Sequence, residues 1–168
     1  MTNYKLDSIY EIRKHLWSEL VDKNIFNIED YFSDNIGQPI IPIIPVQQAP
    51  ELNQFLSGKT HIVYDKIGMS YGDNWMLCDE KNIFTIYSTE YDEINEIRNL
   101  MIDVFRRMDE SARDLNASKD TDLIKFHNVL VLEISPTAPS TELKGFLSAD
   151  IIIEVKYSRI TNTAGRYL

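Results

Sequence analysis

Cysteine is nearly missing from this 168-residue chain: Cys78 stands alone, so no disulfide can close within it. Its stability must come from packing, and a lone thiol fits a reducing compartment. No segment approaches the ~20 consecutive apolar residues that span a bilayer. The opening Met1-Thr2-Asn3-Tyr4-Lys5-Leu6-Asp7 lacks the apolar core of a signal peptide, which leads us to expect a chain folded in a cytoplasm, away from membranes. Positive charge is also scarce. Seventeen Lys and Arg face 26 Asp and Glu, for a formal net charge of −9. Nucleic-acid affinity rests on Lys and Arg displacing counterions from phosphates, and no basic run here exceeds a pair such as Arg106-Arg107. Sequence-specific nucleic-acid binding is not expected, although an acidic wall past which DNA slides without sticking suits this charge.

The signatures of common chemistries are missing too. No GxxxxGK[ST] or GxGxxG phosphate cradle occurs, and Gly68-Met69-Ser70-Tyr71-Gly72 reads as a turn. His15, His61 and His127 are isolated, with none of the spacings that converge on a metal. Cys78 is followed by Asp79 and Glu80, which oppose thiolate formation, so it reads as a quiet strand-end residue. The carboxylate pairs Glu29-Asp30, Asp79-Glu80, Asp92-Glu93 and Asp109-Glu110 each fall at an expected helix end or turn and read as solvated charge. The expectation is a protein that is not an enzyme and holds no metal or cofactor.

What the chain has is ordinary globular substance: 43% hydrophobic residues, with nine Tyr, seven Phe and two Trp. That suits one domain spanning residues 1–168 with a sizeable core. Ser8-Ile9-Tyr10-Glu11 has the form of a capping box, and Ile9, Ile12, Leu16 and Leu20 recur at helical spacing, predicting a helix over 8–22. A short turn of helix is expected from Ile25 to Phe32, capped by Asn27, and another over Ala49–Leu56. Between them, Pro39, Pro42 and Pro45 exclude a helix interior or a central strand and make 36–48 an extended strap. The strap either lines its own core or docks on an adjacent subunit.

Strand character begins at His61-Ile62-Val63-Tyr64. Asn74–Leu77 and Ile83–Tyr87 then read as a hairpin flanking a turn at Asp79-Glu80-Lys81-Asn82. Ile94, Ile97, Met101, Val104, Phe105 and Met108 form one stripe, predicting a single long helix over 91–110 with acidic residues at its start. Residues 111–123 read as a polar loop. Phe126–Ile134 carries apolar residues on both faces, which marks a central strand or one covered by a partner. A loop at 135–146 precedes a last strand, Asp150–Arg159, with Ile151, Ile153, Val155 and Tyr157 on one side. Residues 160–168 read as a loose tail. The expected fold class is α+β: an antiparallel or mixed sheet of four to five strands, packed by the two helices.

His61-Ile62-Val63-Tyr64-Asp65, Ile83-Phe84-Thr85-Ile86-Tyr87-Ser88, the acidic-start helix ending Val104-Phe105-Arg106-Arg107, and the strand closing on Lys156-Tyr157-Ser158-Arg159 follow a familiar order. Over roughly residues 58–160 the chain resembles tail terminator (tail completion) proteins of tailed bacteriophages. The resemblance implies a homo-oligomeric, six-fold ring that caps the tail tube and joins it to neck and head-connector proteins. DNA would pass through without specific binding, and the ring would belong to the virion, assembled in the host cytoplasm. The N-terminal part of the chain departs from a compact terminator and leaves another neck role open. Candidate interface residues are Ile40, Ile41, Ile43 and Ile44 of the strap, Glu80 and Lys81 of the 79–82 turn, and Arg159 and Arg166 at the chain's end. The alternative is a small ligand-binding or enzymatic domain with its site near Tyr64, Asp65, Trp75 and Cys78.

Overall fold

The structure is a computed structural model that describes residues 7–33, 37–52, 54–71 and 77–159. Trp75, Arg166 and the 160–168 tail lie outside the described residues.

Helix α1 (Ser8–Asp22) buries Ile9, Ile12, Leu16 and Leu20, the four residues whose spacing predicts it. The expected capping box does not form. Asp7 is the N-cap and accepts from the Ile9 amide at 3.4 Å, while Ser8 belongs to the first turn. Both box side chains are drawn inward instead: Ser8 donates to Glu80, and the buried Glu11 accepts from the Asp120 amide at 3.1 Å. A 3-10 turn at Ile28–Tyr31 follows, with Asn27 accepting from the Glu29 amide at 3.2 Å.

Strands β1 (Phe32–Ser33) and β2 (Gln38–Pro39) pair antiparallel as a small sheet of their own. The strap then enters β3 (Ile43–Pro45), and one helical turn, α2 (Ala49–Leu52), accommodates Pro50 near its start. The remaining elements are β4 (His61–Tyr71), β5 (Leu77–Ser88), α3 (Tyr91–Phe105), α4 (Asp109–Ser118), β6 (Ile124–Ile134), β7 (Ala138–Pro139) and β8 (Leu147–Arg159). Among the described residues, six strands form one mixed sheet in the order β3-β4-β5-β8-β6, with β7 alongside the start of β8. Only β3 and β4 run parallel. This is the α+β architecture read from the sequence, with one more strand.

Alternation along β5 sets the two faces of the sheet. Cys78, Glu80, Asn82, Phe84, Ile86 and Ser88 are buried, and five of them pair across to the buried Tyr157, Val155, Ile153, Ile151 and Ala149 of β8. Helix α3 lies on this face through Ile94, Ile97, Met101 and Phe105, with α1 packed against α3 and α4. On the other face, at the sheet's end, His61 stacks on Tyr87 with Phe146 edge-on to both.

Four expectations are corrected. Residues 79–82 are not a turn: β5 runs straight through them, paired with β4 along their length. Of the two readings left open for the strap, the structure takes the first: it lines its own core, with Ile43 and Ile44 buried in β3. The long helix stops at Phe105. Met108 turns to φ +52° and its backbone pairs with Val129, donating at 3.0 Å and accepting at 3.2 Å. The chain then enters α4 where a polar loop was expected; α4 buries only Ser111, Ala112 and Leu115. Finally, β6 is an edge strand rather than a central one. The Lys119 ammonium donates to the Ile124 carbonyl at 2.7 Å, Asn116 bonds both the amide and carbonyl of Phe126 at 2.8 and 2.9 Å, and Met108 covers Val129. Those contacts stand where another strand would be.

Two stability measurements follow. Met101 has no exposed surface, so Met101→Asp places an unpaired charge in the helix–sheet seam and should cost about 3–5 kcal/mol in urea unfolding. Met108 is half exposed in a backbone conformation that favours glycine. Met108→Gly should therefore hold or raise stability, by up to about 1 kcal/mol; a clear loss would mean that its side chain supplies more than its backbone costs.

Candidate functional site

Mid-sheet on the covered face, Glu80 has no exposed surface and is held from three elements. Ser8 of α1 donates to it at 2.5 Å, Tyr157 of β8 at 2.5 Å, and the Lys66 ammonium of β4 lies 3.4 Å away. A buried carboxylate is tolerable only when its lone pairs are met in this way. Burial, reinforced by the bond to Glu80, pushes the Tyr157 hydroxyl well above the usual tyrosine range, which keeps it a donor. Burial pulls Lys66 down, but Glu80 and Asp7 outweigh it and leave the ammonium raised. Lys66 also reaches the Asp7 carboxylate at 3.3 Å, so one cation bridges the α1 cap and the buried acid.

Beside this cluster, where β3 ends and β4 runs on, lies a cavity of about 290 Å³. Tyr64, Asp65 and Lys66 of β4 line one side, with Asp7, Ile9, Pro45 and Gln47 opposite and Asn82 also contributing. Burial raises the Tyr64 hydroxyl. Cys78 is elsewhere: it pairs with Tyr71 far along the ladder and lines a second cavity of about 310 Å³ with His127 and Tyr157. The structure thus brings together Tyr64 and Asp65 of the alternative site but not Cys78.

The histidines are dispersed. His15 and His61 are lowered by burial, His15 beside Phe105 and His61 donating through Nδ1 to the Lys59 carbonyl, while His127 meets Ser158 at the β6–β8 seam. Among the described residues no three His, Cys, Asp or Glu converge as a metal set. The carboxylate pairs separate in role. Asp79 and Glu80 point to opposite faces of β5, and Glu93 takes hydroxyl bonds from Thr60 and Ser88.

Of the candidate interface residues, Ile43, Ile44 and Glu80 are buried within the chain and unavailable to a neighbour. Ile41 packs against the core, Ile40 is half-buried, and Arg159 is half-buried beside Tyr157. Lys81 is exposed; Arg166 lies outside the described residues. Sequence reasoning missed the exposed apolar side chains on opposite margins of the sheet. On β4 these are Ile67, Met69 and Tyr71, at 50%, 39% and 54% exposure. On β6 they are Leu132 and Ile134, at 41% and 45%. Ile67 and Leu132 are the extra residues of β-bulges, skipped by the pairing between Lys66 and Gly68 and between Val131 and Glu133. Sequence reasoning also missed Asn82, which strict alternation with Phe84 and Ile86 would have placed inside.

No protein-family model matches the chain, and no curated protein is significantly similar to it.

Removing one donor from Glu80 tests the cluster. Tyr157→Phe should lower stability by about 1–3 kcal/mol, because a buried acceptor loses its partner. Chemical denaturation of the two proteins decides it, and equal midpoints would mean that water or Lys66 takes the hydroxyl's place.

Proposed function

We propose that this chain is a structural subunit of a bacteriophage neck, one copy of a six-fold ring that caps the tail tube and joins it to the head connector. The observation that carries the reading is the pair of apolar margins. Ile67, Met69 and Tyr71 of β4 stand on one side of the sheet, and Leu132 and Ile134 of β6 on the other, with β5 and β8 between. A closed ring built head to tail needs two different patches on one subunit, each meeting its complement on the next copy. Large exposed apolar groups gathered at a margin are the usual material of such contacts.

Other observations agree. The segments that carry the resemblance to tail terminators fall in β4, β5, α3 and β8, the frame of the sheet and its covering helix. Bulges and side-chain caps interrupt both sheet margins, which favours contact through side chains over a continuous backbone ladder. A net charge of −9 suits a conduit that DNA traverses without binding.

Light scattering behind size-exclusion chromatography tests the ring. The wild-type chain should elute with six-fold mass. Ile67→Lys with Met69→Lys, or Leu132→Lys with Ile134→Lys, should each give folded monomers. Mixing the two variants should yield dimers and nothing larger, since each retains one working margin. Variants that assemble like wild type would remove the margins from the contact. A ring that fails to bind purified tail tubes in electron micrographs would remove the neck role.

A further inference from the structure

We infer that the cavity beside Lys66 is a binding site for a carboxamide, a planar group that presents an N–H donor and a C=O acceptor side by side. This stands apart from the ring reading and rests on Asn82. The residue sits mid-strand in β5 with no exposed surface, and neither its Nδ2 nor its Oδ1 has a hydrogen-bond partner. Leaving both ends of a buried amide unpaired is costly. Its same-face neighbours on β5 have no such deficit, since Glu80 takes three donors and Phe84 is apolar. The unmet demand belongs to Asn82, and Asn82 lines the cavity.

The surroundings select the ligand. Lys66, the cross-strand neighbour of Asn82, is engaged by Asp7 and Glu80, so the nearest ammonium is already matched to carboxylates. A carboxylate ligand would satisfy Nδ2 but oppose Oδ1, and an ammonium would do the reverse. A second amide satisfies both through paired N–H···O bonds, while Ile9 and Pro45 offer apolar contact to the carbon next to it. A cavity of about 290 Å³ holds a group of side-chain size. Because Asn82 is fully covered, entry requires side chains that line the cavity to shift away from it. The amide can be a free small molecule or the side chain of an Asn or Gln in a protein segment.

The test is an NMR titration of the full-length, isotope-labelled chain with propionamide, with the blocked peptide acetyl-Gly-Gln-Gly-amide, and with propionate and propylamine as controls of matched size. Propionamide should shift the Asn82 side-chain resonances saturably, with contacts to the Ile9 methyl groups, and the two charged controls should not. Tighter binding of the peptide would assign the amide to a protein segment; equal or weaker binding would assign it to a small molecule. Asn82→Val should abolish the response and melt higher than wild type, having lost an unpaired buried amide. If neither amide gives a saturable shift, or Asn82→Val responds as wild type does, the inference fails. Should Asn82→Val not fold, the Ile9 contacts in the wild-type protein decide alone, and their absence overturns the site.

Discussion

A carboxyl group buried in the middle of the sheet organises the architecture. Glu80 meets Ser8 from the first helix, Lys66 from one neighbouring strand and Tyr157 from the other. A carboxyl group in an apolar interior is destabilising unless its hydrogen-bond partners are in place. The position of α1, the rotamer of Lys66 and the pairing of β5 with β8 are therefore mutually dependent. Lifting the start of α1 would strip Ser8 from the acid and separate Lys66 from Asp7. The same demand explains why Asp7, one residue earlier than the capping pattern suggests, closes the helix end.

The sheet's margins show a second constraint. A strand with an unpaired edge is a template for another chain, and both margins here are interrupted. On one side, β3 covers the first part of β4, and the Asp65 carboxylate accepts from the Lys66 amide at 2.9 Å just beyond it. On the other, Lys119, Asn116 and Met108 cover successive groups of β6. Each margin then bulges and turns one large apolar side chain outward. Backbone pairing is discouraged where apolar contact is offered, a combination suited to defined partners over open-ended stacking.

The strongly periodic segments were legible in the sequence: α1, most of α3 and the inward residues of β8 follow from spacing alone. Helix α4 was not, because its buried side is Ser111, Ala112 and Leu115, too small to give an apolar stripe. The end of α3 was hidden for another reason. Neither Gly nor Pro marks it; pairing with a strand distant in sequence holds Met108 in its conformation. Asp79-Glu80-Lys81-Asn82 looked like a turn because four polar residues together usually are one. The alternation of Cys78, Phe84 and Ile86 continued through them, but only tertiary contacts reveal that Glu80 has partners inside and that Asn82 has none. The apolar margins escaped notice because Met69 and Tyr71 fall between two glycines and read as a turn, where β4 in fact continues to Tyr71, and because Leu132 reads as ordinary strand interior, while exposure depends on which strand ends the sheet.

The strand order also governs when this chain can fold. The central ladder joins β5 to β8, so its two halves are separated by α3, α4, β6 and β7 in sequence. On a ribosome, the β4–β5 hairpin emerges long before the strand that completes its inner side, and β6 waits for the same late arrival. Contacts so distant along the chain slow folding and leave apolar strand faces uncovered meanwhile. Nascent chains halted before residue 147 would hold two unfinished half-sheets, natural clients for a chaperone until synthesis delivers β8.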